Sequence, residues 1–178
     1  MRLSKPLDLK GTALLSQIEN GTEQQWIYLP STKQSRRVVG TSKKGTVLGS
    51  ELSPQDLDFT TLKSAKATLL KNINFKNHNY ALIEIKSAEN NTEYAKAIVL
   101  ISLETYLPMR LEYYDAKNVV LKRVEFDLYQ NYGGVQRAQS IKIKNLVNKR
   151  GTDLALSKIK SNTGLLDEVF SQRALSKE

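Results

Sequence analysis

The chain contains no cysteine. That excludes disulfides, thiolate catalysis and cysteine-based zinc sites, and it fits a reducing or an oxidising compartment equally well. It has a single histidine, His78. Without a cysteine or a second histidine, a metal cluster or a nucleophile–histidine triad lacks its parts, and His78 in Lys76-Asn77-His78-Asn79 reads as part of a polar turn. Long apolar runs are missing too. No stretch approaches the roughly 18 apolar residues of a membrane-spanning helix, and the opening MRLSKPLDLK lacks the apolar centre of a signal peptide. Four prolines and nine glycines in 178 residues form no linker, and no internal repeat or low-complexity tract is visible. One domain over residues 1–178 is the expectation.

Negative charge is also in short supply. Twenty-seven Lys and Arg stand against eighteen Asp and Glu, a net charge of +9, which makes nucleic acid the first partner to consider. The basic residues are spread along the chain, however, and many alternate with apolar ones, as in Ile141-Lys142-Ile143-Lys144. That is how the solvated face of a sheet reads. No RNA-binding aromatic box, zinc finger or helix-turn-helix spacing occurs, so nucleic acid is not an expected partner. A basic outer face suits an acidic partner or peripheral contact with an anionic membrane. Signs of an enzyme are absent as well. No glycine-rich phosphate loop is present, and Leu48-Gly49-Ser50-Glu51 lacks the second glycine of a nucleophile elbow. Glu112 and Asp115 are ordinary charged hairpin ends. No catalytic residue, metal or cofactor is expected.

What is present is strand after strand. Asn20-Gly21 between Thr12–Ile18 and Gln24–Leu29 is a hairpin signal. Further runs follow at Ser35–Val39, Ala65–Phe75, Tyr80–Lys86, Ala95–Leu103, Met109–Tyr114, Val119–Tyr129, Arg137–Val147 and Thr152–Lys160. Short helices are expected from Pro54, with Ser53 as cap, and over Leu165–Leu175. In Val119–Tyr129, Val120, Val124, Phe126 and Leu128 read as inward, and Lys122 as a long side chain reaching water. About ten strands at hairpin spacing make an antiparallel meander, a mainly β fold. Two short helices cannot cover so large an apolar face. The surplus points to a curved, open half-barrel with an apolar interior and short helices as a lid. Its inward faces supply the candidate cavity wall: Leu15, Ile27, Leu29, Leu69, Ile83, Ile85, Val99, Ile101, Leu111, Tyr113, Phe126, Ile141 and Ile143. Each alone is ordinary core; only their excess argues for a ligand.

The densest stretch is Gln25–Phe59. Trp26-x-Tyr28-Leu29-Pro30, Arg36-Arg37, Leu48-Gly49-Ser50 and Asp56-Leu57 follow one another. Pro6-x-Asp8-x-Lys10-Gly11-Thr12-Ala13-Leu14-Leu15 precedes them. Leu107-Pro108, Glu112-Tyr113-Tyr114-Asp115 and the tail Leu154–Leu175 with Asp167-Glu168-Val169-Phe170 come after. In this order the chain resembles, over nearly its whole length, the outer-membrane lipoprotein-sorting proteins, the LolA-like carriers of the LolA/LolB superfamily. The likeness lies in structural residues, not in a reactive centre.

The resemblance implies an open half-barrel with a lid over an acyl-chain cavity. It implies a periplasmic carrier that takes acyl chains of lipoproteins, or a related lipid, from an inner-membrane exporter to an outer-membrane acceptor. Trp26, Arg36 and Arg37 would be lid or loop contacts. It also implies a native segment and signal peptide ahead of Met1. A different class remains open: a protein-interaction or sensor module on the same half-barrel, accessory to a membrane lipid exporter, with its concave face filled by its own side chains.

Overall fold

The computed structural model describes residues 1–20, 22–39, 46, 49–53, 65–86 and 94–176. The helix expected from Pro54 lies outside them, and so do the polar turn that the sequence predicts at Glu89–Thr92 and most of a short segment that it predicts at Thr46–Leu48. The described residues form ten strands: β1 (Ala13–Glu19), β2 (Thr22–Leu29), β3 (Gln34–Val38), β4 (Lys66–Phe75), β5 (His78–Lys86), β6 (Lys96–Ser102), β7 (Pro108–Tyr114), β8 (Val120–Tyr132), β9 (Val135–Asn145) and β10 (Gly151–Ala155). Among the described residues, helical structure is limited to single turns at Leu7–Leu9 and Asp167–Phe170 and to α1 (Gln172–Leu175). The fold is mainly β, as expected. The strands divide into antiparallel sheets of three, β1-β2-β3, and seven, in the order β10-β9-β8-β7-β6-β5-β4, and neither closes on itself. The chain makes two compact units, Met1–Thr60 with Asn162–Glu178, and Thr61–Ser161.

In the first unit Glu19 pairs with Thr22, a two-residue connection with Asn20 at φ 51°. Asparagine tolerates that left-handed conformation better than most residues. Met1–Leu3 runs beside the other edge of β1: Leu14 N–H donates to Met1 O and Leu3 N–H to Thr12 O, both at 2.8 Å. Ala13 pairs with Tyr28 and Leu15 with Trp26, so the four share one face. Ala13, Leu15 and Trp26 form the core with Leu175 of α1, and Tyr28 packs against it. The expected helix Leu165–Leu175 is broken instead into a 3-10 turn and one α turn. Ser171 between them is extended, and its hydroxyl accepts from Ala174 N–H at 3.2 Å as an N-cap. At the other end, Arg2 donates to Ala174 O at 3.2 Å and Leu175 O at 2.7 Å, satisfying carbonyls that a helix end leaves open.

The seven-stranded sheet is a plain meander. Gly133 and Gly134, at φ 62° and 88°, form the β8–β9 turn, the left-handed pair that a tight hairpin needs. Lys76 and Asn77 do the same between β4 and β5 without glycine, at φ 50° and 63°. The expected four-residue turn is therefore two residues long. His78 opens β5, and its Nδ1 lies 2.9 Å from Glu104 Oε2.

One inward assignment fails. Leu128 sits at φ 54° and is 61 % exposed. A left-handed leucine costs roughly 1–2 kcal/mol, which glycine avoids at an unfolded-state cost of about 0.4–1 kcal/mol. Leu128→Gly is therefore expected to raise stability by about 0.5–1 kcal/mol in urea denaturation. A loss of stability would show that the leucine side chain matters more than its backbone.

Candidate functional site: the apolar face of the seven-stranded sheet

Strand register decides which side chains share a face. Leu69 pairs with Ile83, Ile83 with Val99, Val99 with Leu111, Leu111 with Val124, Val124 with Ile143 and Ile143 with Thr152. These pairings make one unbroken row across all seven strands. At about 4.8 Å per strand it runs roughly 29 Å. A second row, Ala67, Ile85, Ala97, Tyr113, Lys122 and Asn145, lies beside it. Ala81 with Ile101, and Phe126 with Ile141 and Leu154, flank the first row on its other side. Along the row Val99, Val124 and Ile143 are buried and Leu111 between Val99 and Val124 is half-buried. Leu69, on the edge strand, is 58 % exposed.

Ten of the sequence-derived wall residues thus lie on this one face: Leu69, Ile83, Ile85, Val99, Ile101, Leu111, Tyr113, Phe126, Ile141 and Ile143. The other three belong to the three-stranded sheet. Leu15 lies on Trp26's side, in the core. Ile27 and Leu29 point from the opposite side of β2, so the three do not share a wall. Trp26 itself is a buried strand residue. Arg37 pairs with it and Arg36 with Ile27; both arginines are exposed on β3.

Sequence reasoning missed the face's polar end. Lys122, expected to reach water, is only 5 % exposed. Its ammonium lies 5.3 Å from the ring centroid of Tyr94, which stacks on Tyr113 at 4.2 Å. A desolvated ammonium is attracted to the electron-rich face of an aromatic ring. The break in the apolar alternation at position 122 was the available signal. Tyr94, outside any strand, gave none.

The opposite face carries half-buried Leu82, Ile98 and Leu100 on β5 and β6 and is charged over β7 to β10. Arg110 pairs with Glu125, Glu125 with Lys142 and Lys142 with Asp153, a row of alternating sign. Glu84 lies 2.9 Å from Lys86 Nζ and 3.1 Å from Lys96 Nζ, and the hydrogen bonds from these lysines hold its carboxyl below the usual range. Glu112 accepts from Arg123 Nε at 2.8 Å and from the Tyr114 hydroxyl at 2.9 Å. Burial pushes the Glu112 carboxyl up, but these hydrogen bonds and the charges of Arg123 and Arg110 outweigh it, so the net shift is downward. Burial and then the bond to Glu112 push the Tyr114 phenol up.

A carboxylate with a lowered folded pKa stabilises fully above its unfolded value, about 4.3, and loses that stabilisation as pH falls through the folded value. Glu112→Gln is expected to cost about 1–3 kcal/mol at pH 7. The gap from the parent protein should narrow below about pH 4. Urea denaturation at both pH values reads this, and a gap unchanged with pH would remove the carboxylate as its source.

A family model described only as an uncharacterised protein family matches residues 1–177. No curated protein matches the sequence. Among solved structures, the chain is similar to a domain described as an outer membrane lipoprotein-sorting protein from Vibrio parahaemolyticus. The identity is 29 % and the TM-score 0.92, with 99 % of this chain and 76 % of that one covered. It is also similar in fold to a DUF1329 family protein from Desulfovibrio piger, with 23 % identity, TM-score 0.91 and coverage of 98 % and 75 %. A LolA superfamily protein from Nitrosomonas europaea shares the fold at 20 % identity and TM-score 0.75, with coverage of 97 % and 76 %. The chain belongs to the family of uncharacterised proteins whose model spans residues 1–177, and its fold is that of the LolA-like lipoprotein-sorting proteins.

Proposed function

We propose that residues 1–178 form one LolA-like carrier domain. It holds the acyl chains of a lipoprotein, or of a related lipid, against the apolar face of the seven-stranded sheet and carries them across the periplasm to the outer membrane. The observation that carries this reading is the row from Leu69 to Ile143, aliphatic on six successive strands. Each methylene removed from water is worth about 0.8 kcal/mol, so affinity needs no reactive group and the domain acts as a non-covalent carrier, not an enzyme. The partly exposed end of the row at Leu69 is where cargo enters and leaves. An inner-membrane exporter and an outer-membrane acceptor are the partners this role requires. The fold shared with lipoprotein-sorting proteins, and the match of nearly the whole chain to them, support the reading.

One observation favours a second reading. Tyr94, Tyr113 and Lys122 fill one end of the apolar face with the protein's own side chains, as an interaction or sensor module would. Native mass spectrometry of protein purified from its own cells separates the two. A bound phospholipid or acylated peptide supports the carrier and names its cargo class. A clean apo mass, unchanged on adding lipid or lipopeptide, overturns it in favour of the module.

A further inference from the structure

One end of the seven-stranded sheet carries two turns that the carrier reading does not use. Residues 115–119 join β7 to β8, and residues 146–150 join β9 to β10. Leu146 N–H donates to Leu121 O at 2.8 Å, which continues the β8–β9 ladder past the pair Lys122 and Asn145 and sets the two turns side by side. Both present aliphatic side chains to solvent: Val119 is 52 % exposed, Val147 66 % and Leu146 38 %. The turns hold them there. Asp115 Oδ1 accepts from the N–H groups of Lys117 and Val119, both at 2.8 Å, and Asn145 Oδ1 accepts from Val147 N–H at 3.0 Å. Around the three aliphatic residues stand exposed Lys117, Lys149 and Arg150, against one carboxylate in the turns, the half-buried Asp115. The row Arg110, Glu125, Lys142 and Asp153 across the same strands alternates in sign, whereas the turns carry an excess of positive charge.

We propose that these two turns dock the protein on an anionic lipid surface. Exposed apolar side chains gathered at one place and rimmed by polar groups mark an interaction surface, and here the rim is cationic. Lys117 and Lys149, with Arg150 beside them, attract the headgroups of anionic lipids. Val119, Leu146 and Val147 enter the boundary between headgroups and acyl chains. The geometry favours lipid over protein. A peptide partner is taken up by a groove or an open strand edge, and two turn tips offer neither. A lipid surface takes apolar side chains to a depth of about 5–10 Å without a preformed pocket. The docking does not depend on what the apolar face of the sheet holds.

The test is cosedimentation of the whole chain with phosphatidylcholine vesicles, with and without phosphatidylglycerol. Binding is expected only with phosphatidylglycerol and should weaken as salt is raised. Lys117→Glu/Lys149→Glu should weaken it about 25-fold or more, since each cation beside an anionic surface is worth roughly fivefold. Val119→Ser/Val147→Ser should weaken it several-fold and leave the salt dependence in place. Because the chain has no cysteine, an environment-sensitive dye on Val147→Cys reads this contact alone. Its emission should shift to the blue on the anionic vesicles. The same dye on Gln136→Cys, beside the hairpin at the other end of β8, should not respond. Leu111→Glu, on the apolar face, should still bind the vesicles, which separates failure here from failure of the carrier reading. The proposal is overturned by equal binding to neutral vesicles, by no binding at all, or by binding that Lys117→Glu/Lys149→Glu leaves unchanged. A shift at position 136 as large as at position 147, or loss of binding with Leu111→Glu, overturns it too. So does capture of a polyglutamate peptide by these turns without vesicle binding, which would assign them to an acidic protein.

Discussion

Leu111→Glu is expected to weaken lipid uptake by at least about 30-fold. The half-buried Leu111 side chain stands mid-row, between Val99 and Val124. A carboxylate there must be desolvated without a partner or take up a proton, and either route costs at least about 2 kcal/mol against an acyl chain lying on the row. That converts to about 30-fold in affinity. Leu69→Glu, at the exposed end of the row, cannot disturb the core and should weaken uptake by only a few-fold. Lys144→Glu is the control. It lies on the other face, exposed and opposite Arg123, where a carboxylate is well placed, and uptake should not change. Fluorescent fatty-acid displacement reads all three. Equal effects on the two faces, or none at position 111, would mean that cargo does not lie on this face.

This contrast between faces was legible before the structure because a strand has a period of two. Ile141-Lys142-Ile143-Lys144 can be sorted into two faces by inspection, and so can the run around Val124. That is why ten of the proposed wall residues fall on one side of one sheet. Period alone does not say which strands share a sheet. Leu15, Ile27 and Leu29 alternate just as well, yet they belong to the three-stranded sheet, and Leu15 is core. Local rules also lost where tertiary contacts took over. Lys122 is held beneath Tyr94, a residue 28 positions earlier with no strand pattern of its own. Leu128 leaves the inward row because its backbone is left-handed, which nothing in a leucine announces. From sequence His78 looks like turn, because Lys76 and Asn77 reach positive φ without the glycine that usually marks a two-residue hairpin.

Trp26→Ala is expected to destabilise the protein by about 3–5 kcal/mol, the usual cost of truncating a buried large aromatic. Against a typical domain stability of about 5–15 kcal/mol, that approaches the limit for folding. Among the described residues, the core it anchors consists of Ala13 and Leu15 on β1 and Leu175 on α1, with Tyr28 alongside. Alanine and leucine side chains pinned to β1 and to a one-turn helix have little room to collapse into the space an indole leaves, so most of the cavity should persist. Trp26 is the chain's only tryptophan, so unfolding has to be followed by far-ultraviolet circular dichroism. The same argument predicts coupling. Leu175→Ala alone should cost about 2–4 kcal/mol, but in a chain already lacking the indole the residue has lost its main contact. The double variant should therefore fall short of the summed losses by about 0.5–3 kcal/mol. Strict additivity would mean that α1 is held instead by the bonds from Arg2 to the carbonyls of Ala174 and Leu175, and Arg2→Ala would then release it.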